Sequence, residues 1–128
     1  MSFFHAAISV NNLKESCTFY EDIFGLTLQA KGERPELGVK FVILQDKNGA
    51  GVELFQHVTP VATSEDFMDF SKVGFKHVAF FVEDVEKTYD KALKAGATSL
   101  WEPRKGVTVK KLAFIKDPNN IAVELVEP

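Results

Sequence analysis

A spacing of 71 or 72 residues recurs along this chain and limits what it can fold into more than any other feature. His5 and His77 are 72 residues apart, while Glu53 and Glu124, like Gly25 and Gly96, are 71 apart. Each histidine opens a strand-like run, FFHAAISV and FKHVAFFV, and each glutamate sits inside an apolar one, GVELF and IAVELV. Self-similarity at a fixed offset is the mark of a duplicated supersecondary unit, so the chain reads as two copies of one module.

Within the first copy, residues 3–10 alternate. Phe4, Ala6, Ile8 and Val10 lie on one side, and Phe3, His5, Ala7 and Ser9 on the other, as in a strand with two different faces. Asn12 followed by Glu15 has the form of a capping box. Leu13, Cys17, Tyr20 and Phe24 then recur at helical spacing, and Gly25 supplies the stop. Strands are expected over Leu26–Lys31, Val39–Gln45 and Gly51–His57, with a loop at Gly32 and Pro35 and a turn at Lys47–Gly49. The order is β-α-β-β-β. It returns after Phe75, with Asp84 as the cap and Val85, Tyr89, Ala92 and Leu93 as the buried stripe. Strands are expected at Thr98–Trp101, Val107–Ile115 and Ile121–Val126, with a loop at Pro103–Gly106 and a turn at Asp117–Asn120. The expected fold is α+β: two tandem βαβββ modules forming an open, curved mixed-sheet cleft with helices on the outer face. Residues 1–128 are read as one domain, with module one about 1–58, a connector over 59–73, and module two over 74–128.

Burying an unpaired carboxylate costs several kcal/mol or forces it to neutralise, so two glutamates inside apolar strands call for a cationic partner. Strand parity puts Glu53 with Gly51, Phe55 and His57, and Glu124 with Ala122 and Val126, opposite the Val and Leu side chains. His5, Glu53, His77 and Glu124 are therefore expected to share one divalent metal. Two imidazoles and two carboxylates without a thiolate suit Ni, Co or Zn, with Mn or Fe as further fits, and leave coordination positions open. A metal so held can polarise a carbonyl and stabilise the enolate left when a neighbouring C–H is deprotonated. His57, Phe55, Arg104 and Lys105 are candidate substrate contacts, the last two with Gly106 as holders of an anion. Phe81 and Trp101 are candidate walls.

Composition narrows the classes. With 45% hydrophobic and 26% charged residues, a net charge of −3 and no Lys/Arg cluster longer than a pair, the chain has the balance of a globular protein and no electrostatic footprint for nucleic acid or an anionic membrane. The single cysteine, Cys17, rules out an internal disulfide and a thiolate zinc site. MSFFHAAISVNN lacks the basic and long apolar segments of a signal peptide, so a cytoplasmic protein with a small-molecule substrate is expected.

Three stretches, FHAAISVNNLKESCTFYEDIFGL, KHVAFFVEDVEKTYDKALKAGA and KLAFIKDPNNIAVELVE, resemble the vicinal oxygen chelate superfamily, and within it the glyoxalase I-like branch, over nearly the whole chain. The resemblance implies paired βαβββ modules and assigns His5, Glu53, His77 and Glu124 to the family's His, Glu, His, Glu metal positions. It gives Glu124 the proton-shuttling role, with Glu53 its carboxylate counterpart, and implies a homodimer. The implied activity is that of a metal-dependent lyase or isomerase acting by proton transfer on a small α-oxygenated carbonyl compound or its thiol adduct. Where glutathione-using members carry an Arg after the first His and an Asn after the first Glu, Ser9 and His57 stand here, which removes the charge-assisted fork for a tripeptide carboxylate. Ring-cleaving dioxygenases and fosfomycin-type enzymes resemble a His, His, Glu triad, unlike Glu53 here. Two alternatives remain open: a metal-free binding protein of the bleomycin-resistance kind, and an isomerase like methylmalonyl-CoA epimerase, whose usual second ligand is Gln.

Overall fold

The computed structural model describes residues 1–128, which form two compact units, Met1–Ala62 and Thr63–Pro128. The first runs β1 (His5–Ser9), α1 (Leu13–Phe24), β2 (Thr27–Arg34), a 3-10 turn (Pro35–Leu37), β3 (Val39–Gln45) and β4 (Gly51–His57). The second runs β5 (Val78–Phe81), α2 (Val85–Lys94), β6 (Thr98–Lys105), β7 (Lys111–Lys116) and β8 (Ala122–Glu127). Each unit is a four-stranded mixed sheet, ordered β1-β4-β3-β2 and β5-β8-β7-β6, so the first strand pairs in parallel with the last and the others pair antiparallel. The fold is α+β, with two tandem βαβββ modules and open sheets.

The helices form where the caps and stripes dictate. Asn12 and Asp84 accept the N–H groups of Glu15 and Lys87, satisfying donors that the first helical turn cannot pair internally. Gly25 ends α1 at φ +66, a left-handed conformation that costs a residue bearing a Cβ. In α2 the cap is Ala95, and the left-handed residue is the next one, Gly96 at φ +104. Each helix lies on one face of its own sheet, α1 against β3 and β4, and α2 against β6, β7 and β8. Val52, Leu54, Val123 and Leu125 point to that face and are fully buried.

Several boundaries differ from the sequence reading. The buried stripe of α1 is Ser16, Phe19, Tyr20 and Ile23, and Leu13, Cys17 and Phe24 flank it half-buried. The apolar face is wider than one heptad line, and its centre falls where the small Ser16 permits close approach to the sheet. The chain expected to loop at Pro103–Gly106 instead remains in β6 as far as Lys105, and β7 begins only at Lys111. Pro103 is tolerated because β6 is an edge strand, where a missing N–H need not break a ladder. Val107, Thr108 and Val109 have the β-branching of a strand but no partner, and the chain turns there with Gly106 N–H donating to Lys110 C=O at 3.2 Å.

Candidate functional site

The parallel pairing of first and last strands sets the site geometry in each unit. In the first, His5 lies opposite Gly51 and Ala7 opposite Glu53, so His5 and Glu53 are diagonal neighbours on the face that α1 does not cover. A Cβ at Gly51 would run into the Leu44 carbonyl, so only glycine fits beside His5. In the second unit Ala79 lies opposite Glu124, which gives His77 the same diagonal relation.

The outcome is two matching pairs. His5 Nε2 is 3.2 Å from Glu53 Oε1, and His77 Nε2 is 3.1 Å from Glu124 Oε2. The four side chains are between 17% and 26% exposed. Both Nδ1 atoms are buried and unpartnered, so each ring can act only through the Nε2 aimed at its carboxylate. Phe114 lies edge-on to His77 at 5.0 Å, and Phe4 packs on His5 at 4.2 Å.

These separations bear on a metal. A charge-assisted N–H···O bond closes to about 2.7–2.9 Å. Two ligand atoms each about 2.0–2.2 Å from one ion stand roughly 2.8–3.1 Å apart at octahedral angles and roughly 3.3–3.6 Å apart at tetrahedral ones. Both pairs have the spacing of two donors on one ion and are also within ordinary N–H···O distance, and their borderline nitrogen and hard oxygen donors suit a divalent first-row ion.

The remaining candidates are placed as follows. Phe55 lies on the Glu53 face and packs against Phe41 at 6.0 Å between ring centroids. His57 is on the same face but four residues along, about 13 Å of strand. Its Nδ1 accepts from Thr59 N–H at 3.0 Å, so it does not join the pair. Arg104 stacks over Trp101 at 4.5 Å. Lys105 pairs in register with Lys111, which reaches α2 through Glu86, so it lies on the helix-covered face away from Glu124. Phe81 is exposed, and Trp101 packs edge-on to Phe114 at 5.3 Å.

A second acidic cluster, Asp84, Glu86 and Glu127, lies at the start of α2. Each of its carboxylates already has a partner. Asp84 caps Lys87, Glu86 binds Lys111 Nζ at 2.6 Å, and Glu127 binds Lys110 Nζ at 2.9 Å and accepts from Val85 N–H at 3.3 Å. Hydrogen bonding from Lys110, then from the Val85 backbone, holds the Glu127 carboxyl below its usual range. This is a charge-balanced helix start. Its counterpart in the first unit is Gln56, whose Oε1 accepts Leu13 N–H at 2.7 Å. Sequence reasoning missed both caps, although Gln56 and Glu127 each stand three residues after the paired glutamates.

A family model described as Glyoxalase/Bleomycin resistance protein/Dioxygenase superfamily matches residues 2–125. The chain belongs to this superfamily. Among named members, a "Probable lactoylglutathione lyase" of Synechocystis sp. is 33% identical over 133 residues, covering 99% of this chain and 95% of that one. A protein of the same name from Vibrio cholerae is 30% identical, covering 96% and 88%. Among solved structures, a glyoxalase family protein from Bacillus cereus superposes with a TM-score of 0.81 at 21% identity over 99% of this chain and 93% of that one, a likeness of fold. Glyoxalase I from Zea mays gives 0.73 at 24%, with this chain spanning 44% of it. No helix of this superfamily member is long and apolar enough to cross a membrane.

Proposed function

We propose that this protein is a metal-dependent lyase or isomerase of the glyoxalase I type, acting by proton transfer on a small α-oxygenated carbonyl compound or its thiol adduct. His5, Glu53, His77 and Glu124 hold one divalent ion, Ni, Co or Zn, with Mn or Fe as further fits, supplied by one chain or by the two chains of a homodimer. The observation that carries this reading is the pair of matching His–Glu separations, 3.2 and 3.1 Å, at equivalent places of the two sheets. Superfamily membership and relatives named lactoylglutathione lyase support the reaction class.

When bound, such an ion polarises a carbonyl and lowers the cost of removing the adjacent proton. The protein's own groups do the rest. His5 and His77, each able to use only Nε2, fix the geometry and cannot swing to another partner within their unit. Glu124 takes the proton from the substrate carbon through a carboxylate oxygen and returns it to the neighbouring position, with Glu53 as the equivalent carboxylate of the first unit. Neither carboxylate is tied to a Lys or Arg; the partner of each is the histidine of its own unit.

The test is metal analysis of the purified protein with a thermal-shift series in Ni, Co, Zn and Mn, followed by assay on the hemithioacetals of small 2-oxoaldehydes. Stoichiometric metal, metal-dependent stabilisation and turnover lost in Glu124→Gln are expected. A protein that takes up no ion and is stabilised by none is instead a metal-free binding member of the superfamily.

A further inference from the structure

The strand β6 carries two irregularities against β7, one between Ser99 and Trp101 and one between Trp101 and Arg104. The first has a counterpart in the other unit, between Leu28 and Ala30. The second does not, because Ala30 to Arg34 pair residue for residue with Ile43 to Val39. Its effect follows from parity. Trp101 pairs with Phe114 and Arg104 with Leu112, so three steps on β6 match two on β7. One extra residue is therefore bulged out. Trp101 and Arg104, which a regular strand would send to opposite faces, both stand on the face of Phe114, itself paired with Glu124.

A row results within this unit. His77 meets Phe114 at 5.0 Å, Phe114 meets Trp101 at 5.3 Å, and the Arg104 guanidinium lies 4.5 Å over the indole. Arg104 Nε donates to the Glu102 carbonyl at 3.2 Å, which fixes the planar group and leaves the two terminal amino groups without a carboxylate partner. At the equivalent place in the other unit stands Gly32, against the ring of Phe41. The cation is thus specific to the second unit, and a bulge re-aims it.

We propose that Arg104 is a specificity-determining residue that binds a carboxylate at the far end of the substrate, while an apolar stretch lies along Trp101 and Phe114 toward Glu124. This names the substrate class of the proposed site, a carbonyl compound with a remote carboxylate, and rests on the His–Glu pairs being its reacting end. Two terminal N–H groups in one plane match the two oxygens of a carboxylate, and one guanidinium matches its single charge.

Trp101 is the only tryptophan, so its fluorescence reports on this place directly. The purified protein is titrated with 3-phenylpropanoate, its neutral amide 3-phenylpropanamide, and phenyl phosphate, and its metal content is measured alongside. The carboxylate should bind roughly tenfold or more tightly than the amide, as expected for a charge-assisted pair. Arg104→Gln should abolish that preference, and Arg104→Lys should keep part of it. Equal affinity for acid and amide, a preference surviving in Arg104→Gln, or tighter binding of phenyl phosphate than of the carboxylate would overturn the assignment. Persistence of the preference in protein that holds no metal supports Arg104 and removes only the metal reading. Bound metal without the preference removes only this inference.

Discussion

At the entry to α1 the N–H of Leu13 is met by a neutral amide, Gln56, and at the entry to α2 the N–H of Val85 is met by a carboxylate, Glu127. The turns before the last strands show a similar kinship. Asp46 Oδ1 accepts from Asn48 and Ala50, and Asp117 Oδ1 accepts from Asn119 and Ile121. The left-handed residue is Gly49 in one turn and Asn120 in the other, at φ +87 and +64. The two units thus hold their backbones by the same bonds while varying the side chains that make them. They keep the His–Glu pair and diverge around it, with Phe41, Phe55 and Gly32 in one and Leu112, Trp101 and Arg104 in the other. What is shared specifies the fold and the candidate metal ligands, and what differs is the set of side chains around them.

The largest effects are expected at the His–Glu pairs. His5→Ala and His77→Ala should each lower metal affinity by at least about a hundredfold, more than loss of an outer-shell partner costs, and the double variant should be little worse than either single one. Isothermal titration would show this as one binding event weakened in each variant, and two events, one lost per variant with the other unchanged, would mean that each unit binds its own ion. Next come the cores. Leu54→Ala and Leu125→Ala empty equivalent, fully buried places, and each should cost about 2–5 kcal/mol in urea unfolding. Values differing by more than that spread would show that the units are not energetically equivalent.

A smaller effect is expected at the turns. Gly49→Ala should cost about 1 kcal/mol because of its positive φ, and Gly49→Asn clearly less, since asparagine already occupies the same conformation at Asn120. Smallest is the cap exchange Glu127→Gln, which gives the second unit the chemistry of the first. Because Lys110 and the Val85 N–H depress the folded-state pKa of Glu127, its stabilisation is complete above the usual carboxylate range and is lost as pH falls through the lowered value. The stability gap between wild type and Glu127→Gln should therefore shrink from pH 7 toward pH 3. A gap that widened on acidification would contradict the origin given for the cap.

Periodicity and offset made the modules legible in the sequence. Alternation fixed which face Glu53 and Glu124 occupy, and Asn12, Asp84 and Gly25 marked helix ends through local backbone chemistry. What escaped depended on pairing with distant chain. Ser16 is buried because a sheet approaches it, which no propensity encodes. Pro103 signalled a break, but an edge strand needs no N–H from it. The bulge that puts Arg104 on the face of Phe114 exists only in the register of β6 on β7, so sequence could offer Arg104 and Lys105 together but not separate their faces. Likewise, the β4 and β8 side chains that cap α1 and α2 lie 43 and 42 residues from the N–H groups they accept.

Two His–Glu pairs serving one ion can be told from two separate sites by counting ions. Native mass spectrometry of the metal-loaded protein, with the chain count read from the same spectrum, should give one divalent ion per chain, falling to none in either His5→Ala or His77→Ala. Two ions per chain, or one retained in a single-histidine variant, would contradict it.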